Sequence, residues 1–209
     1  MLTLAQLLSF TLAAVLVTAT PGPDNLMVLG VGMSKGKRQG AAFGLGCAVG
    51  CLSHTLLAVL GVSALVAASP LAFKALKWVG GGYLVWLGVT VLRHAGEGAK
   101  KSGFDAGHDS TRTLFYKGMV ANAVNPKVVL FFLAFLPQFV VPDQGRIGVQ
   151  LGVLGFVFAV QAGILFATLA YFAGYIGAWL TRRPRSSVWL DRIAGTVFVS
   201  LGLRMLASK

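Results

Sequence analysis

The sequence predicts an all-α integral membrane protein of six transmembrane helices, arranged as two inverted three-helix repeats with helices 1 and 4 interrupted. Three observations carry this. Of the 209 residues, 56% are hydrophobic and only 11% charged, whereas a soluble domain carries about 25% charged residues. The charges are confined to short blocks, with long uncharged runs between them. The two halves also share a pattern, in which Pro23-Asp24 of the first span aligns with Pro126-Lys127 of the fourth.

A span needs about 20 mostly apolar residues. Six segments meet that: Leu2 to Met33, Gly40 to Ser69, Leu71 to Leu92, Gly118 to Val141, Ile147 to Leu180, and Val188 to Leu206. As one helix the first would be about 48 Å long, well beyond a hydrocarbon core of about 30 Å. The cluster Pro21-Gly22-Pro23 breaks it and frees backbone groups at that depth. The fifth segment is also long, and its ends are expected to project into the interface. The N-terminal segment lacks the basic n-region of a cleaved signal, since the first basic residue is Lys35, so it reads as a retained span.

Lysines and arginines set the orientation. The first, third and fifth connections carry three, five and four of them, against two in the second and one in the fourth. Odd connections are therefore expected in the cytoplasm and both termini outside. The third connection, residues 93–117, reads as a mobile cytoplasmic loop whose Gly-, Lys-, Ser- and Asp-rich part runs from Gly96 to Ser110. It divides a single membrane transport domain into a first three-helix repeat (1–92) and a second (118–209). The net charge of +12 belongs to this flanking pattern. No basic stripe interleaved with aromatics is present, so nucleic acid is not an expected partner.

The repeat is clearest in the third and sixth spans. Val79-Gly-Gly81-Gly-Tyr-Leu84-Val85-Trp-Leu87-Gly88 matches Ile193-Ala-Gly195-Thr-Val-Phe198-Val199-Ser-Leu201-Gly202 at a constant offset. Gly40 and Gly44 open the second span as Gly148 and Gly152 open the fifth. With three spans per half, the second copy is inverted relative to the first. Inverted repeats with helices interrupted at matching positions point to the central site of a secondary transporter.

Two charges lie at those interruptions. Asp24 is the only acidic residue in the first 96 positions, and Lys127 is the matching charge of the fourth span. Charges within spans are costly and mark substrate or ion pathways. Opposite charges on facing breaks would lower each other's cost, whereas a Lys127 near the start of its span could instead snorkel to the surface.

His54, mid-span in the second helix, is a weaker candidate: it could relay protons or simply bond a neighbouring carbonyl. Gln161, mid-span in the fifth, could line the cavity or join two helices. Tyr171 and Tyr175 read as packing or interface anchors, and Trp78, Trp179 and Trp189 as interfacial belts. Gly40, Gly44, Gly50 and the Gly80-Gly81-Gly82 run are expected to permit close helix contact. Cys47 and Cys51 lie four apart on one helix, poorly placed for a disulfide or a closed metal site.

Pro21-Gly22-Pro23-Asp24-Asn25 near the N-terminus, a Gly-rich second span, and Asn125-Pro126-Lys127 in the second half resemble the lysine exporter (LysE) superfamily. Within it the match is to the homoserine/threonine-type (RhtB-like) amino-acid exporters, over essentially the whole chain. The resemblance implies efflux of amino acids or close derivatives across the bacterial inner membrane, driven by proton antiport and without a cofactor. Its motif positions fall on Pro21, Gly22 and Pro23, followed by Asp24 and Asn25, and on Asn125, Pro126 and Lys127.

An amino acid carries an ammonium and a carboxylate, so its site needs complementary groups at both ends. Asp24 would bind the ammonium or carry the coupled proton. Lys127, or N–H groups freed at the breaks, would hold the carboxylate, with Asn25 and Asn125 orienting the solute. The alternative of metal-cation export would want several carboxylates or thiolates, and a membrane thiol redox protein would want two thiols meeting across helices. Partners are therefore an amino-acid solute, protons and the lipid bilayer, and six short spans allow either a monomer or a homo-oligomer.

Overall fold

A computed structural model describes residues 2–62, 69–95, 109–141, 144–182 and 184–207. All regular structure among them is helical. α1 (Leu4–Ala19) opens with a capping box: Thr3 Oγ1 accepts from the Gln6 N–H, and the Thr3 N–H donates to Gln6 Oε1 at 2.7 Å. It stops at Thr20, whose N–H and hydroxyl both donate to the Leu16 carbonyl, at 3.0 and 2.6 Å. α2 (Pro23–Lys35) restarts with proline at its first position, where the missing N–H costs nothing. The axes of α1 and α2 differ by 58°. Gly36 then takes φ 96°, a conformation that favours glycine, and turns the chain into α3 (Lys37–Leu57).

α3 widens into a π turn at Ala58–Val62, and α4 spans Pro70–Arg93. The second half repeats the device. α5 (Thr111–Ala123) is capped by Ser110 Oγ, which accepts from the Thr113 N–H at 3.1 Å. After a break at Val124-Asn125, α6 (Pro126–Leu130) starts with proline again and runs on through a π turn, Phe131–Phe135, and a 3-10 turn, Leu136–Phe139. This bend is 52°. Interrupted first and fourth spans are thus found at the residues that predict them. α7 (Ile147–Tyr171), α8 (Ala173–Arg182) and α9 (Pro184–Ala207) follow.

One expectation changes. The fifth segment is not one helix to Leu180: Phe172 leaves helical geometry (φ −91°, ψ 7°), and α8 starts after it. The turn brings α8 against α2, where a Cβ added at Gly32 would lie 2.6 Å from the Ala173 Cβ, and one at Gly177 2.5 Å from the Met33 sulfur. By length and apolarity the described residues contain three crossing helices, or five if each bent pair counts as one span. α9 has the length, at 24 residues, but Asp191, Arg192 and Arg204 interrupt its apolar run. The expected loop from Gly96 to Ser110 lies outside the described residues except for its last two positions, and the end of the second expected span does likewise.

Small residues set the helix contacts, as apolar surroundings that offer no hydrophobic drive between helices require. α4 and α9 meet reciprocally. A Cβ on Gly88 would lie 2.6 Å from the Gly195 carbonyl, and one on Gly195 2.7 Å from the Gly88 carbonyl. One on Gly202 would lie 2.7 Å from the Gly81 carbonyl, and Gly88 meets Val199 as Gly202 meets Val85. These are the positions that the sequence match equates, so the pair is related by a local two-fold. Gly44 and Gly50 likewise seat Phe166 and Met119 against α3. Gly82 faces open space, and in that run only its neighbours' side of α4 is packed. Around the two breaks the core is aromatic: the rings of Phe131 and Phe132 are each centred 5.0 Å from that of Phe158, the first tilted and the second edge-on.

Candidate functional site

The two helix breaks put a charge each into the interior. Asp24, in the first turn of α2, is 5% exposed, and Lys127, in the first turn of α6, is 8% exposed. Lys127 therefore does not snorkel. Its Nζ donates to the Thr20 carbonyl at 3.0 Å, at the C-terminal end of α1, where a helix dipole favours a cation. The ammonium also lies 5.5 Å from the centre of the Phe198 ring. Gly22 makes room for it, since a Cβ there would stand 3.0 Å from Nζ. Asp24 occupies the N-terminal turn of α2, where the dipole favours an anion. Its Oδ2 accepts from Asn122 Nδ2 at 2.8 Å, and its Oδ1 has no hydrogen-bond partner.

Asp24 and Lys127 do not pair directly. Among the described residues, the ion pairs are those of Asp109 with Lys35 and Lys117. Instead both line one small cavity of about 10 Å³, room for about one water. Its polar wall is Thr18, Asp24, Asn25, Asn122 and Lys127, and its apolar wall is Val17, Cys51, Val128, Phe131, Phe158 and Phe166.

The two expected asparagines hold the breaks in shape. Asn25 Nδ2 donates to the Thr18 carbonyl at 2.8 Å, and Asn125 Oδ1 caps α6 by accepting from the Lys127 N–H at 3.0 Å. Asn25 lines the cavity; Asn125 is buried beside it without lining it. Pro21, Gly22, Pro23 and Pro126 shape the breaks.

His54 takes the bland alternative in part: its Nε2 lies 3.0 Å from the Asn122 carbonyl. A carbonyl only accepts, so Nε2 carries the hydrogen. Gln161 joins helices, its Nε2 donating to Thr18 Oγ1 at 2.8 Å. Cys47 and Cys51 are both buried free thiols, Cys51 donating to the Cys47 carbonyl at 3.4 Å. No group of three or more His, Cys, Asp or Glu able to hold a metal occurs among the described residues.

Sequence reasoning missed Asn122, Thr18 and Thr20. Asn122 sits in the last turn before the second break, three residues ahead of Asn125. A buried amide so close to a helix end is a signal that could have found it. Thr20 acts through its backbone carbonyl, which no reading of side chains detects.

Away from the cavity, Asp109 ties α2 to α5, with its carboxylate 2.8 Å from Lys35 Nζ and 2.9 Å from Lys117 Nζ. Hydrogen bonds from Lys117 and then Lys35 hold this carboxyl below the usual carboxylate range.

The family model of LysE type translocators matches residues 15–209. A Vibrio cholerae protein described as an uncharacterized membrane protein is 30% identical over 203 residues, 97% of each chain. A homoserine/homoserine lactone efflux protein of Salmonella typhi is 30% identical over 201 residues, 96% of each chain. A leucine efflux protein of an Enterobacter species is 24% identical over 197 residues, covering 94% of this chain and 93% of its own. No solved structure matches the chain. The match over nearly its whole length places the chain in the LysE type translocator family: it is a membrane transporter, not an enzyme.

Proposed function

We propose that the protein exports amino acids with neutral side chains from the bacterial cytoplasm across the inner membrane by proton antiport. The observation that carries this is the pair Asp24 and Lys127, opposite charges lining one small cavity at two helix breaks that the Lys127–Thr20 hydrogen bond joins. The pair complements the two ends of an amino acid. With both charges so used, the rest of the wall is neutral, and its bulk is Phe131, Phe158, Phe166 and two valines. A charged side chain would meet no partner there. The names of the Salmonella and Enterobacter relatives, homoserine and leucine efflux proteins, agree with a neutral solute.

A cavity for about one water does not hold an amino acid. Transport therefore requires the helices to part at the breaks. Two inverted halves of three spans, with both termini outside the cytoplasm, would supply alternating access. Asp24 is the one carboxylate in the wall, so a proton and the solute's ammonium compete for it. That competition is what antiport needs.

The test is a panel of amino acids and analogues given to cells with and without the protein, measuring accumulated and exported solute. Neutral amino acids are expected to be exported and lysine or glutamate left behind; a panel in which no amino acid is exported overturns the reading.

A further inference from the structure

We propose that Asn122 determines solute specificity: its amide oxygen and Asp24 Oδ1 together receive the primary ammonium of the solute, so N-methylated analogues are rejected. This rests on the exporter reading above and adds a residue and a selection rule to it.

Asn122 is 1% exposed and lines the same cavity as Asp24. Its amide orientation is fixed by chemistry. Nδ2 donates to Asp24 Oδ2 at 2.8 Å, and the flipped amide would set an oxygen against a carboxylate oxygen. The amide oxygen is thereby the free end. Neither Asn122 Oδ1 nor Asp24 Oδ1 has a hydrogen-bond partner, and both atoms are buried. The backbone of Asn122 is fixed as well, because its carbonyl accepts from His54 Nε2 at 3.0 Å. Gly50 of α3 leaves the room that this side chain occupies: an added Cβ would lie 3.0 Å from the Asn122 Cβ and 3.1 Å from Oδ1.

Two unpaired acceptors on two residues of one cavity wall suit a group with several N–H donors. A carboxylate alone attracts any cation, including a fully methylated one. A neutral amide oxygen is directional and contributes only if an N–H points at it. A primary ammonium has three such hydrogens and can serve both oxygens. Each methyl replaces one donor and adds bulk to a small space. Sites built to bond an N–H reject analogues that lack it far more strongly than apolar pockets reject a methylene.

The experiment measures initial export of leucine and N-methylleucine by the full-length protein in proteoliposomes, separating half-saturation from maximal rate. Wild type is compared with Asn122→Leu and Asn122→Asp, both close in shape to asparagine. Wild type is expected to prefer leucine by about tenfold or more. Asn122→Leu should lose most of that preference through weaker half-saturation for leucine, whereas Asn122→Asp, which shares one proton with Asp24 Oδ2 in place of the amide N–H and keeps an acceptor, should retain it. An Asn122→Leu protein that reconstitutes and keeps the wild-type preference overturns the proposal. If Asn122→Leu does not reconstitute, Asn122→Asp decides: loss of the preference overturns it. Wild type exporting both solutes equally overturns this proposal alone, whereas wild type exporting no amino acid overturns the exporter reading with it.

Discussion

The ammonium of Lys127 donates to the carbonyl of Thr20 at 3.0 Å, joining two helix breaks that are 107 residues apart in the chain. Lys127→Met keeps most of the stem but leaves that carbonyl without its donor. A buried acceptor so orphaned costs about 1–3 kcal/mol. Export by Lys127→Met is expected to fall by more than about tenfold, since the carboxylate partner is lost as well. Lys127→Arg should not rescue it, because a planar guanidinium is bulkier than the ammonium that now meets the Thr20 carbonyl. Efflux assays normalised to protein in the membrane check both variants.

Asp24→Asn keeps the size and the neutral hydrogen bonding of the site but removes its one carboxylate. The variant is expected to lose uphill export driven by an imposed proton gradient. Normal export with intact proton coupling in proteoliposomes would remove Asp24 from the mechanism.

The contact of α4 with α9 makes a prediction about stability rather than transport. Gly88→Ala puts a Cβ 2.6 Å from the Gly195 carbonyl, a backbone atom that cannot step aside. Overpacking of this kind costs about 1–3 kcal/mol. Gly82→Ala on the same helix meets nothing within 4 Å. Thermal unfolding in detergent should separate the two, with Gly88→Ala clearly lowered and Gly82→Ala unchanged.

Asp109 gives the expected pH dependence. Its folded carboxyl is held low by Lys117 and Lys35, so its stabilisation is fully present above the unfolded carboxylate range, near pH 4. It is lost as pH falls through the lower folded value. Lys117 is half exposed, so salt should weaken the effect. Compared over falling pH, the thermal stability of Asp109→Asn is expected to start lower than wild type and converge with it at acid pH.

The breaks were legible because proline and glycine act locally: Pro23 and Pro126 cannot continue a helix wherever they are packed. The charges were legible because Asp24 and Lys127 stand alone in apolar runs. How the charges are satisfied was not, since this depends on tertiary placement. Asp24 is held by Asn122, 98 residues away, and Lys127 by a backbone carbonyl rather than by Asp24. The turn at Phe172 was hidden for a similar reason: no proline marks it, the nearby Gly174 lies inside α8, and the packing of Ala173 and Gly177 against α2 accompanies it. The match of the third and sixth spans showed that two glycines repeat, but only the structure shows Gly88 seated on Gly195 and Gly81 on Gly202.

The most direct test of the central claim is leucine export from proteoliposomes against an imposed proton gradient, with lysine as the charged comparison. The account predicts that wild type exports leucine only when the gradient is present, moves little lysine, and loses leucine export in both Asp24→Asn and Lys127→Met. Leucine export that persists unchanged in both variants would contradict it.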